Sequence, residues 1–163
     1  MVNSSGSGLG NVQDLLYDSF KQRAFMASFS KAPASGEYAL MFLWNPSDSD
    51  VVTILKQVHY IVSNGSVRFG IHNTKSGTSR IYLGNKCSDG AAPQCEIYDD
   101  SQAATTNPNL QLLGYTNINT GTVFYPLLLG DYVILKPGSS FILSGYTANL
   151  TIRLIFEWVE VAI

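Results

Sequence analysis

The chain has 163 residues and a mass of 17.8 kDa, room for one domain with a core of ordinary size and none for a second catalytic domain. Charged residues make up 13%, against about 25% in ordinary soluble proteins, while aromatic residues reach 12% with 9 tyrosines, the balance of a surface that partners cover. A net charge of -2, with 10 Lys and Arg scattered singly, excludes the basic patch that binds nucleic acid, and no stretch approaches the ~18 apolar residues of a membrane span.

Residues 1–10, MVNSSGSGLG, are mostly Ser, Gly and Asn, and they read as a flexible arm because they offer too little apolar area to offset ordering. They carry neither the basic nor the apolar region of a secretory signal, so the expected place of synthesis is the cytoplasm. From Asn11 the pattern changes. Val12, Leu15, Leu16 and Phe20 recur at helical spacing, with Asn11 as N-cap and Asp14 in the first turn, which predicts an amphipathic helix of about three turns. Residues 1–22 are thus expected to form an arm and a short helix, and residues 23–163 a β domain.

After the helix the chain alternates with period two, beginning with Phe25, Ala27 and Phe29 on one face. Turn chemistry marks the strand ends at APASGE (32–37), NPSDSD (45–50), SNGS (63–66), TKSGTS (74–79), LKPGSS (135–140) and SGYTAN (144–149). Short strands between such turns predict an all-β, antiparallel fold, a β-sandwich or a barrel. Asn64-Gly65 is the preferred pair for a two-residue hairpin turn. That turn sets Val62 opposite Val67, Tyr60 opposite Phe69 and Val58 opposite Ile71 on a core face. His59 and His72 then become diagonal neighbours on the outer face, a polar pair short of the ligands a metal needs.

Cys87 and Cys95 bracket CSDGAAPQC, a spacing that permits a small disulfide loop, and with no His nearby they read as reduced or structural cysteines rather than as a zinc site. The polar stretch DDSQAATTNP (99–108) is the longest connection, and Tyr98, Asp99 and Asp100 at its start form a candidate ligand loop. Trp44, Tyr82, Tyr98 and Tyr115 offer ring faces to a sugar, although aromatic residues in sheets more often serve a core or an interface. The acidic pairs Asp48/Asp50 and Asp99/Asp100 lack the spacing of a calcium loop, and no nucleophile elbow is present, so no catalytic residue, metal or cofactor is expected. The closing stretch NLTIRLIFEWVEVAI alternates through Leu154, Phe156 and Trp158 to an apolar end, which predicts a central strand or one whose end another subunit covers. Glu157 and Glu160 break strict alternation near its end, which predicts a bulge or a subunit contact there.

The order of an arm, the helix VQDLLYDSFKQ, the strand RAFMASFS, then GEYALMFLWNPSDSDVVTILKQVHYIV and a late YVILKPGSSFILSG resembles the small jelly-roll proteins of tailed bacteriophage virions. The apolar strand that breaks at NPSDSD and the LKPGSSF turn carry the likeness. The resemblance implies a non-enzymatic virion structural protein on the outer surface of the capsid, a decoration or cement protein. It would be a homotrimer whose partner is the major capsid protein. Val12, Leu15, Leu16, Phe20, Trp158 and Ile163 are the candidate capsid or subunit contacts. The alternative is a receptor- or carbohydrate-binding β module of a head or tail fibre, using Tyr98, Asp99 and Asp100. A cupin-like metal enzyme is disfavoured because its core-facing histidines and carboxylate are missing.

Overall fold

A computed structural model of the protein describes residues 23–80, 92–103, 111–127 and 133–163. The helix and arm expected over residues 1–22 lie outside the described residues, among which there is no α-helix. The elements are β1 (Ala24–Lys31), β2 (Tyr38–Asn45), β3 (Val51–His72), β4 (Thr78–Arg80), β5 (Glu96–Gln102), β6 (Gln111–Leu127), β7 (Val133–Leu135), β8 (Ser139–Gly145) and β9 (Ile152–Ala162).

These strands make an all-β, sandwich-like fold of two antiparallel sheets that share the long strands β3 and β6. In the first sheet β9 lies between β1 and the first half of β3, whose other edge pairs with β7 and the end of β6. In the second sheet the last residues of β3 pair with β8 on one side and with the start of β6 on the other, and β2, β5 and β4 follow beyond β8. The pairs are therefore nested: β1 with β9, β2 with β8, and the two halves of β3 with β6 and β7.

The expected Asn64-Gly65 hairpin is not formed. Residues 51–72 run on as one strand, and β6 follows it along its length with a register shift between Ser63 and Gly65. The physical reason lies in phase. Val62 and Val67 are five positions apart, so strict alternation would send them to opposite faces. Asn64, at φ 55, supplies the phase change as a bulge, and the strand passes from β9 to β8 as its partner. Val58, Tyr60, Val62 and Val67 are all buried, with Phe69 and Ile71 packed on them, so the core face is the expected one although the hairpin is absent. His59 and His72 consequently lie 13 positions apart on one strand instead of side by side.

The core fills the space between the sheets. Phe156 of β9 meets Phe141 of β8 edge to face at 5.9 Å, and Phe25 stacks on Trp158 at 5.6 Å. Each such side chain, fully buried, stabilises the fold by about 1.5–3 kcal/mol. Trp158, a candidate contact, is thus a core residue, because the alternation that carries Leu154 and Phe156 inward carries it inward too. The bulge expected near Glu157 sits across from it, where Lys56 of β3 is the extra residue between Leu55 and Gln57.

Two of the turns meet at Asn45. This fully buried side chain donates to the carbonyls of Val51 at 2.9 Å and Leu135 at 3.0 Å, and the backbone carbonyl of Asn45 accepts from the Gly138 N–H at 2.9 Å. NPSDSD and LKPGSS are therefore tied to one another through a single amide.

Candidate functional site

The outer face of the second sheet reads in rows. Register aligns His72, Ser140, Trp44 and Glu96 in one row and Gly70, Ile142, Phe42, Tyr98 and Ser79 in the next. Leu40, Phe42 and Ile142 form a second, smaller apolar cluster on this face, with Tyr98 against it. Between His72 and Thr78 the chain must cross from β3 to β4, past β8, β2 and β5. Four interstrand spacings of about 4.8 Å call for about 19 Å, which six nearly extended steps of ~3.3 Å just supply. Residues 73–77 are thus a taut strap, and hydrogen bonds anchor it along its length. His72 Nδ1 accepts from the Thr74 N–H at 3.0 Å, Ser140 Oγ donates to the Thr74 carbonyl at 2.8 Å, and Gln102 Nε2 donates to Ser76 Oγ at 3.1 Å. Gly77 ends the strap at φ +84, where a Cβ would overlap the Asp99 carbonyl.

Lys75 extends from the strap over two rings, its Nζ 5.5 Å from the centroid of Trp44 and 4.2 Å from that of Tyr98. It donates to Glu96 Oε2 at 2.6 Å and to the Tyr98 hydroxyl, which itself donates to Glu96 Oε2 at 2.7 Å. Burial opposes the ammonium, but the hydrogen bonds and charge of Glu96 and Tyr98 outweigh it and hold the Lys75 pKa above the ordinary lysine value. The hydrogen bond from Lys75 holds the Glu96 carboxyl below the ordinary glutamate value, against its partial burial. Both groups stay charged near neutrality, so the cluster is suited to ring contact and fixed hydrogen bonds rather than to proton transfer.

The expected ligand loop is resolved into other roles. Tyr98, Asp99 and Asp100 lie on strand β5, because Ile97 and Asp99 alternate inward against β2. Tyr98 faces outward with Trp44 and is half-buried. Asp99 is buried between the sheets, accepting from Lys31 Nζ of β1 at 2.9 Å and from Arg80 of β4 through both its oxygens. Burial opposes its charge, and the two cations overcome that and hold its pKa below the ordinary aspartate value. Asp100 accepts from the Ser101 N–H at 2.8 Å and from Gln102 Nε2 at 2.8 Å, and these bonds, with one from Ser76, keep its carboxyl low despite partial burial.

Sequence reasoning missed a second buried acid. Glu160 keeps the alternation of β9 and so points inward, where its carboxylate accepts from the N–H groups of Gln94 at 3.0 Å and Cys95 at 2.8 Å and from Trp158 Nε1 at 3.2 Å. Cys95 is a free, buried thiol, 2.7 Å from Thr53 Oγ1, and burial pushes its pKa up, so it is no nucleophile. The only hint of this site was the pair of glutamates interrupting an apolar strand. Of the remaining candidates, Ile163 is 76% exposed, while Val12, Leu15, Leu16, Phe20, Tyr82 and Cys87 lie outside the described residues. Among the described residues no group of three metal-ligating side chains comes together, and no helix is long and apolar enough to cross a membrane.

Comparison of the chain with protein-family models, with curated proteins and with solved structures gives no match.

Proposed function

We propose that this chain is a non-enzymatic virion structural protein of jelly-roll type, a decoration or cement protein that binds the assembled capsid of a tailed bacteriophage and stabilises it as a homotrimer. The observation that carries the reading is the nested pairing of the strands, first with last and second with next to last, because that is the order a rolled-up antiparallel ribbon requires. The junction at Asn45 adds to it, since it joins the two turns on which the likeness to phage proteins rests. The function follows from linkage. A subunit that binds the finished shell and not its open precursors shifts the shell's stability by mass action, and no bond need be made or broken. Residues 1 to about 22 would make the contact with the major capsid protein or between subunits.

Electron microscopy of intact particles labelled with an antibody against this chain tests the proposal. Label spread over the head supports it, and so does lower occupancy after deletion of residues 1–10 with an unchanged melting temperature. Label confined to the tail, or unchanged occupancy of the truncated chain, overturns it.

The cluster of Trp44, Tyr98, Lys75 and Glu96 favours a second reading, a carbohydrate- or receptor-binding module, because ring faces fringed by fixed polar groups suit a sugar. Saturable glycan binding that is lost in Tyr98→Ala would replace the first reading with this one.

A further inference from the structure

Lys75 reaches the outer face of the second sheet from the strap, yet the strap's backbone is anchored at other residues. Thr74 is held by His72 and Ser140, Ser76 by Gln102, and Gly77 is fitted against Asp99. The Lys75 side chain can therefore leave its place by rotation about its own bonds, with the strap unmoved.

The place it would leave is a seat built from strand residues. Trp44 of β2 pairs directly with Glu96 of β5, and Tyr98 follows two positions along β5 on the same face. The sheet thus fixes all three side chains beside one another, whatever Lys75 does. Trp44 and Tyr98 supply ring faces, 5.5 Å and 4.2 Å from Nζ to their centroids, and Glu96 and the Tyr98 hydroxyl supply two acceptors. Ring faces and a carboxylate select a cation over a neutral group, and the two acceptors select a primary ammonium over a quaternary one, which has no N–H to donate. The seat is also open to water. The side chains of Lys75 and Glu96 are 33% and 41% exposed, so their ion pair is weak, while Trp44 beneath them is 9% exposed. Lys75 is a removable cover over a seat made for its own kind of head group.

We propose that Trp44, Tyr98 and Glu96 form a binding site for the primary alkylammonium group of a ligand, with Lys75 as a built-in competitor that such a ligand displaces. Because Lys75 is tethered beside the site, it competes at a high effective concentration and lowers the affinity for any ligand in solution. The inference stands on this cluster alone and requires neither the virion reading nor the sugar reading.

Titration with n-butylammonium chloride at constant ionic strength tests it, read by the fluorescence of Trp44 against the steady background of the core residue Trp158. The parent protein should give a saturable change, and Lys75→Ala the same change with a Kd at least about threefold lower. Adding Glu96→Gln to Lys75→Ala should weaken binding at least about tenfold, with circular dichroism confirming that both variants keep their sheets. Against Lys75→Ala, n-butanol, which lacks the charge, and tetramethylammonium, which lacks the N–H groups, should each bind at least about tenfold more weakly. Absence of saturation in the parent overturns the proposal, whether or not the variants fold. Equal affinity in the parent and in Lys75→Ala overturns it too, since the lysine would then compete for nothing. So does n-butanol binding as tightly as n-butylammonium, which would make the seat an apolar slot, and so does affinity that is unchanged by Glu96→Gln.

Discussion

Asp99 and Glu160 are both buried carboxylates between the sheets, and they are held by opposite means. Asp99, on β5, is met by two cations, Lys31 from β1 across the sandwich and Arg80 from β4 beside it. Glu160, on β9, is met by neutral donors, the backbone N–H groups of Gln94 and Cys95 just ahead of β5 and the indole of Trp158. Each joins β5 to the opposite sheet. A cation on a long side chain reaches a buried acid while keeping contact with water, so the Asp99 link extends to the surface and salt acts on it. The donors to Glu160 are fixed by the fold, and that link is sealed.

This difference can be broken from either side. Glu160→Ala should have the largest effect, about 3–5 kcal/mol, because it strands three donors and opens a cavity beside Trp158. Urea unfolding at low and high salt should give the same loss, and a loss under ~1 kcal/mol would show that the N–H cradle holds nothing. Asp99→Asn should cost less, about 2–3 kcal/mol, since Lys31 and Arg80 regain water once released. Its gap from the parent protein should narrow in 1 M salt, where screening falls to about 3 Å. The same residue sets a pH dependence. Its pKa is depressed in the folded state, so the unfolded chain binds more protons, and the contribution is present above the ordinary aspartate value of about 4 and is lost as pH falls below that through the lower value of the folded state. Acid titration of the melting temperature should show this drop in the parent and a shallower one in Asp99→Asn.

Gly77→Ala tests whether the strap and the Asp99 segment are one unit. It should cost about 1–3 kcal/mol, because the added methyl overlaps the Asp99 carbonyl at a positive φ. Hydrogen exchange should then speed up in β4 and β5 before β9. Lys75→Ala should be the mildest change, about 1 kcal/mol or less, as its ring contacts and ion pair are partly exposed. Quenching of Trp44 fluorescence by iodide, stronger in the variant, would register the loss of its cover.

What could be read in the sequence was whatever depends on near neighbours. The two-residue alternation gave Phe25, Tyr60 and Phe156 their inward faces, and all three are buried. Gly36, Gly77 and Gly138, each at positive φ, mark the turns at 32–37, 74–79 and 135–140 as expected. Asn64-Gly65 misled because a hairpin and a bulge make the same phase change, and the choice between them lies with β8 and β9, more than 70 residues further on. Asp99 and Glu160 were hidden for a related reason. An acid at an inward position reads as a break in the pattern until its donors, Lys31 or Gln94, are brought beside it by pairings that no local rule encodes. Tyr98 was read as part of a loop and lies instead on β5, and its setting depends on a strap whose path is fixed only by the order of five strands.

The nested pairing also governs how the protein can be made. Of the described strands β1 and β2 leave the ribosome before the others, yet their partners β9 and β8 come after all the rest. At about 5–20 residues per second, Phe25, Met41 and Leu43 wait for several seconds or more with their hydrogen-bonding edges open. During that interval every nascent chain is a template for its neighbours on the same message, so yield in a heterologous host should rise as translation initiation is slowed and polysomes thin out.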